Sequence, residues 1–452
     1  MTQIAATYQI YHLELDLSAL TAAKTSAENE KSGKNSTLQD YLTTAITNVN
    51  TFISSSCQFS TSSPYNTYYG GKQLGTTPAQ VTAQAAHLNA ITTYVNRLNT
   101  AWGFEESKVP NAVYTLLHSC DQYGDPNNSD YSTSDIEWAT GVLDDAIGKA
   151  NATTGAYQTD VALIAQYKAA NASETSPVKY DGVSDAEAAL ELATSMGELN
   201  TAMGLISKRL MLLPAYPSYP ADTYTSVVLS RTLKAGYNSL ALPFGTTVAT
   251  LTGRSNAGDW VAQLQTVTYN AQDGYTLYFQ KGDGNIAANQ PYVLHLADGT
   301  ANITNPTFSG QAVSVPSAQT VTPSSGYDGQ DDINSSYEDW TMRSNFTKGF
   351  SMAGKYGIVN SAGGLMLGGE GSTLNAFSAY IQPPTGAAGV RVQSAYIDWD
   401  GTIDYVPGLP GEASDFEDSA VYDLSGRRIS HPVRGLNIIR RPDGTVRKVM
   451  AR

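Results

Sequence analysis

The 452-residue chain is about three times the length of a typical domain of roughly 150 residues, so a single compact folding unit is not expected. Hydrophobic residues make up 41%, enough for buried cores, but only 15% are charged, against about 25% in ordinary soluble proteins. A net charge of -14 argues against a nucleic-acid partner, which needs clustered Lys and Arg, and no run approaches the roughly 18 apolar residues of a membrane-spanning helix.

The opening Met1-Thr2-Gln3-Ile4 has neither the basic n-region nor the apolar h-region of a signal peptide, so none is read at the start of this sequence. From Leu38 the apolar residues Leu38, Tyr41, Leu42, Ala45, Ile46, Val49, Phe52 and Ile53 recur at the 3,4 spacing of one helix face, with Ser36 and Gln39 as a capping box. Thr77, Pro78 and Gln80 open a second helix as N-cap, N1 proline and reciprocal N3 side chain, and Val81, Ala85, Leu88, Val95 and Leu98 face inward. Ser134 with Glu137 and Ser184 with Glu187 repeat the start signal. Leu192, Met196, Leu199, Met203, Ile206 and Leu210 then alternate steps of four and three, the pattern of a seam between antiparallel helices.

Cys57 and Cys120 are the only cysteines, and each follows an apolar helical stretch. They provide either one disulfide or two buried thiols, and no metal cage.

The hydrophobic period changes after Pro214-Ala-Tyr-Pro-Ser-Tyr-Pro220, a segment that lacks three backbone donors and predicts an extended linker. Alternation at Tyr275, Leu277, Phe279, at Tyr292, Leu294, Leu296, at Phe377, Ala379, Ile381 and at Val390, Val392 predicts short strands between turns, as in a β-sandwich. Aromatic residues are plentiful there, and Trp260, Trp340, Tyr396 and Trp399 are candidate ligand-stacking rings, with core packing as the alternative. Asp398, Asp400 and Asp404 surround Trp399 and Gly401 and could begin a calcium site, although the later oxygen ligands of an EF-hand spacing are absent and turn residues read the same way. Asp328, Asp331 and Asp332 form a second carboxylate cluster of the kind a general acid/base pair draws on. Neither a Gly-x-Ser-x-Gly, a Walker loop, a His-Glu-x-x-His nor a Cys-x-x-Cys occurs, and the five histidines are far apart in sequence.

Three resemblances follow from these residues. Leu-Gln-Asp-Tyr-Leu-Thr-Thr-Ala-Ile at 38 to 46 and Thr-Pro-Ala-Gln-Val-Thr-Ala-Gln-Ala at 77 to 85, within Leu17 to Leu98, resemble the three-helix FIVAR repeat of bacterial surface proteins. The phrases Arg231 to Phe244 and Ala288 to Leu294 resemble a β module of secreted proteins from Bacteroidetes-type anaerobes. Finally, Ala420-Val-Tyr-Asp-Leu-Ser-Gly-Arg-Arg-Ile429, Pro432-Val-Arg-Gly-Leu-Asn-Ile-Ile439 and Asp443-Gly-Thr-Val-Arg-Lys-Val449 read as three strands in the order found in the C-terminal sorting domain of the Por, or type IX, secretion system of Gram-negative bacteria. Asn437 stands where that family usually has Tyr. From Leu424 onward eight Arg and Lys face Asp443 alone, which also suits a basic strand edge that deters aggregation.

The resulting expectation is a multidomain α+β protein with N-terminal helical bundle(s) followed by antiparallel β-sandwich module(s). Its parts are a FIVAR-like bundle region at 1–213, a Pro/Tyr linker at 214–222, a β-sandwich module at 223–406, an acidic spacer at 407–419 and the sorting-like segment at 420–452, completed by strands at 390–405. The function expected is non-catalytic interaction with a protein or glycan ligand at the cell surface, the protein being secreted or associated with the outer membrane through the secretion machinery. A carbohydrate-binding accessory protein is the first alternative and a carboxylate-dependent glycoside hydrolase the second. No cofactor is expected other than calcium at the aspartates above.

Overall fold

The computed structural model describes residues 15–56, 59–60, 73–74, 76–124, 131–270, 274–325, 340–359, 364–384, 392–399, 402–406, 420–422, 427–429, 435–440 and 446–451. The chain is a mixed α+β protein of two compact units, one made of Met1–Gln166 with Gly182–Ile206 and the other of Tyr167–Asp181 with Ser207–Arg452.

The first unit is helical. Its helices are α1 (Ser18–Asn29), α2 (Ser36–Ser56), α3 (Pro78–Ala101), α4 (Asn111–Leu117), α5 (Thr133–Ala172), α6 (Val183–Leu192) and α7 (Met196–Met203). Leu38, Leu42, Ile46 and Val49 of α2 and Val81, Leu88, Val95 and Leu98 of α3 are buried together, as the 3,4 spacing predicts. On α5 the stripe Ile136, Ala139, Leu143, Ala146 and Ala150 joins the same core.

The start signals divide into one that is placed as predicted and three that are displaced. At α3 the capping box is complete, Gln80 N donating to Thr77 Oγ1 and Thr77 N to Gln80 Oε1. For α2 the cap is Asn35, whose Oδ1 accepts from Leu38 N, and for α5 the reciprocal pair is Ser132 with Asp135, two residues ahead of Ser134 and Glu137. Before α6 stands Gly182 at φ 79°, without a side-chain cap; a Cβ there would collide with the Leu205 carbonyl oxygen, so the position requires glycine.

The helical seam predicted over Leu192 to Leu210 is not formed. Ser195 Oγ accepts from Glu198 N and Glu198 Oε2 accepts from Thr194 N, which ends α6 and restarts the chain as α7, leaving Leu192 73% exposed. Beyond Gly204 the chain turns extended in the strand Ser207–Leu212, where Leu210 and Leu212 are buried at the period of a strand. The expected helical span of 1–213 is corrected accordingly, since Val178–Asp181 and Ser207–Leu212 are strands of the second unit's sheet. So is the linker at 214–222: residues 213–221 connect two parallel strands of that sheet, and Tyr219 is buried among its core residues.

Three sheets dominate the second unit. The middle one runs in the order Thr402–Val406, Val392–Trp399, Gly274–Lys281, Trp260–Asn270, Tyr292–Leu296, Gly236–Leu240. Alternate residues of its inner strands enter different cores. Val261, Leu294 and Leu296 meet Leu210, Tyr224, Val227 and Phe308 of the sheet Thr307–Val313, Asp222–Leu229, Ser207–Leu212, Val178–Asp181. Trp260, Ala262 and Val293 meet Met342, Tyr356, Ala379 and Ile381 of the sheet that contains Thr341–Asn345, Ser378–Gln382, Tyr356–Val359 and Gly364–Leu367. Around residues 260–262 and 292–294 the middle sheet is therefore covered on both faces, whereas Gly274–Lys281 buries one face through Tyr275, Leu277 and Phe279. Nor is the pairing wholly antiparallel, because Gly274–Lys281 runs parallel to Val392–Trp399 and Ser207–Leu212 parallel to Asp222–Leu229.

Phe377 connects the two cores. It is fully buried in the first at φ 60°, a strained value for a bulky residue, while Ala379 and Ile381 just beyond it belong to the second. Its carbonyl oxygen accepts from Ala241 N and Arg231 Nη1, both at 3.2 Å.

The C-terminal segment forms a sheet of its own in the order Arg428–Ile429, Ala420–Tyr422, Gly435–Arg440, Val446–Ala451, antiparallel throughout. Strands at 392–406 pair with the middle sheet and not with this one, which overturns the expectation that they complete the sorting-like segment. The acidic spacer at 407–419 lies outside the described residues.

One end of the middle sheet is locked by Asp259, which accepts from Arg254 Nε at 2.7 Å, Arg254 Nη2 at 3.1 Å and Ala297 N at 2.8 Å. Burial alone would raise its pKa, but the bonds from Arg254 and Ala297 outweigh it and hold the carboxyl below its ordinary value. A carboxylate depressed in the folded state stabilises above its unfolded pKa of about 3.9, and that contribution is lost as pH falls through the folded value. Urea melts at pH 7 and at pH 3 should therefore show a larger acid loss for the wild type than for Asp259→Asn; equal losses would contradict the lock.

Candidate functional site

The aromatic residues singled out in the β half are placed in the core. Trp260 is 5% exposed and Trp340 fully buried, and Tyr275 and Tyr380 are buried too. Trp260 stands in register with His295 and, across it, Tyr237, with the Trp260 and His295 rings stacked at 4.8 Å and Lys281 Nζ 4.6 Å from the Trp260 ring centroid. Trp340 lies against Tyr275 and Tyr356, its Nε1 buried without a hydrogen-bond partner among the described residues. The expectation that Trp260 and Trp340 offer a stacking face is thus corrected, because both rings are packed into the core between the middle sheet and the sheet that contains Thr341–Asn345. Tyr396 and Trp399 belong to the strand Val392–Trp399.

Asp398 and Asp404 lie on neighbouring rungs of one antiparallel ladder, opposite Ile403 and Ile397, while Asp400 and the cluster at Asp328, Asp331 and Asp332 lie outside the described residues. Among the described residues no three His, Cys, Asp or Glu side chains are gathered as a metal site would require, and no helix is long and apolar enough to cross a membrane. Cys120 is a free, buried thiol, and Cys57 lies outside the described residues.

Exposed aromatic surface occurs instead on the helical unit. Trp138, on α5, is 58% exposed, the largest aromatic side chain so presented among the described residues. Its ring meets that of Tyr123 at 5.5 Å, and Tyr123 meets Tyr131 at 4.7 Å. Tyr123 and Tyr131 are half-buried and lean on the helical core, which holds them from beneath.

The support under this platform is hydrogen-bonded in detail. Tyr123 sits on the one-turn 3-10 segment Asp121–Gly124, which follows α4. Asp121 accepts from Trp102 Nε1 at 2.9 Å through one oxygen and pairs with His118 Nδ1 at 2.9 Å through the other, so the turn is tied to the ends of α3 and α4. Directly before it, the Cys120 carbonyl accepts from Tyr123 N and from the hydroxyl of the fully buried Tyr94. Burial, with Cys120 and Asp121 close by, pushes the Tyr94 phenol well above its ordinary pKa, so the hydroxyl remains a donor at any physiological pH. On the other side Tyr131 directly precedes Ser132, whose bonds with Asp135 fix the start of α5, and His87 Nδ1 lies 3.1 Å from Thr133 Oγ1. The turn that carries Tyr123 is thus anchored to the buried Tyr94, and the residue after Tyr131 is fixed by the Ser132–Asp135 cap, which lowers the ordering cost of binding.

Sequence reasoning passed over these three rings because no motif marks them. The available signal was negative: Trp138 falls outside the inward stripe Ile136, Ala139, Leu143, Ala146, Ala150, so a helical reading of 133–150 leaves an indole without a core position.

Comparison with known proteins adds nothing here, since no protein family, curated protein or solved structure matches the chain.

Asp121→Ala leaves Trp102 Nε1 and the His118 ring without their shared acceptor, a loss of about 1–3 kcal/mol in unfolding free energy by denaturant titration. A change within about 0.5 kcal/mol, the range of an ordinary surface substitution, would contradict the support described.

Proposed function

We propose that the protein is a non-catalytic binding protein of the bacterial cell surface or medium, and that its contact surface is the Trp138, Tyr123 and Tyr131 platform of the helical unit. The observation that carries this reading is the 58% exposure of Trp138 above two rings that are themselves anchored to the core. An isolated exposed apolar residue needs no explanation, but a ring cluster built on a hydrogen-bonded support does.

In this reading the helical bundle comes first in the chain and binds the ligand, and the layered β module that follows in sequence supplies a stable body with Trp260, Trp340, Tyr275 and Tyr380 in its cores. The C-terminal segment supports export, through its three type IX-like phrases and their basic balance. It serves as an address for the secretion machinery, and the ligand surface lies elsewhere.

Deleting Ala420–Arg452 in the native host should shift the protein from the cell surface or culture medium to the cell interior, as followed by fractionation and immunoblotting. Unchanged surface delivery would contradict the assignment of export to this segment, and it would leave the platform reading untouched.

A further inference from the structure

We infer that the Trp138 platform receives an uncharged sugar ring of a polysaccharide, an inference that rests on the platform being the contact surface. Size comes first. A whole aromatic side chain offers about 150–250 Å², and only one of the three rings is mostly exposed, so the patch falls well below the roughly 800 Å² that each partner gives to a standard protein interface. Its natural occupant is a ligand the size of one or two rings.

Packing narrows the geometry. Tyr123 is in contact with both Tyr131 at 4.7 Å and Trp138 at 5.5 Å, with the planes inclined by 33° and 59°, so the rings close on each other and enclose no slot for a cation. What they offer outward is a π face. The negative charge of such a face attracts C–H groups of slightly positive character, which a pyranose presents in a flat array. Three residues on from Trp138 the helix carries Gly141, where an added Cβ would meet nothing within 4 Å, so no side chain at that position screens the indole. Exposed Ser134 lies one turn before Trp138 on the same face of α5 and can bond to ring hydroxyls.

Charge selects against acidic polymers. From Val109 to Gly148 the sequence contains no Lys or Arg, but it contains Asp121, Asp125, Asp130, Asp135, Glu137, Asp144 and Asp145. Asp144 is paired with Arg97 and Asp145 with Lys149, and the remaining carboxylates of the stretch leave an anionic ligand facing net like charge. Neutral hexose or pentose polymers are free of that repulsion.

The test uses the full chain on insoluble or immobilised polymers: starch, mannan, xylan and chitin as neutral sugars, polygalacturonate as an anionic sugar, a choline resin as a cationic ligand, and collagen as a protein. The expected result is retention on at least one neutral polymer, reduced at least tenfold in Trp138→Ala, largely kept in Trp138→Phe, and displaced by the free monosaccharide. Tyr131→Ala serves as a second variant, and thermal melts that match the wild type certify both. Trp138-dependent retention confined to polygalacturonate, choline or collagen would overturn the sugar inference while sustaining the platform. Retention that ignores Trp138, or no retention on any of the supports, would overturn both.

Discussion

Burial of the middle sheet on both faces around residues 260–262 and 292–294 is the constraint from which most of the second unit follows. Strands whose alternate residues serve different cores cannot spare a face for solvent, so Trp260 and Val261, or Val293 and Leu294, are buried side by side. A Trp in such a strand is core by necessity. Trp340, which packs against the middle sheet from outside it, remains buried although its indole N–H has no partner among the described residues, because hydrophobic burial of the largest side chain outweighs one unsatisfied donor. The constraint explains the tolerance of φ 60° at Phe377, since that residue carries the chain from one core to the other and its carbonyl is held by Arg231 and Ala241.

With Trp260 and Trp340 committed to packing, the recognition surface we propose is on the helices. There polar groups, from the buried Tyr94 to the exposed Ser132 and Asp135, position two half-buried rings beneath the exposed Trp138. Tyr94, Asp121 and the Cys120 carbonyl form a compact network under the turn that carries Tyr123, and the reciprocal bonds of Ser132 and Asp135 fix the residue next to Tyr131. A ligand that stacks on such rings finds them already ordered, which suits a weak contact repeated along a polymer.

Much of the helical part was legible in the sequence because its signals are local. The Thr77, Pro78, Gln80 start of α3 and the inward stripes of α2 and α3 are set by backbone satisfaction and periodicity alone. The Leu192 to Leu210 seam misled because a 3,4 spacing can be cut by a cap: Ser195 and Glu198 form one inside it, and Leu210 and Leu212 then follow the period of two. In the β half, the alternation at Tyr275, Leu277 and Phe279 matches one buried face, whereas the strand Tyr292–Leu296 buries Val293 as well, and no local pattern reveals the second sheet that covers it. The partnership of Val392–Trp399 with Gly274–Lys281 was hidden for the same reason, being a parallel pairing across more than a hundred residues. The platform draws Tyr123, Tyr131 and Trp138 from two elements, and its support adds Tyr94 and Trp102 from α3, so only the folded chain assembles it.

Trp260 and Trp340 are buried in the β cores and Trp138 is exposed on the helical unit, and side-chain oxidation by hydroxyl radicals, read residue by residue by mass spectrometry, measures that division directly. Trp138 should be oxidised much faster than Trp260 and Trp340 in the native protein, with all three reacting alike after denaturation. Native rates for Trp260 or Trp340 equal to that of Trp138 would contradict the covered middle sheet and, with it, the assignment of recognition to the helices.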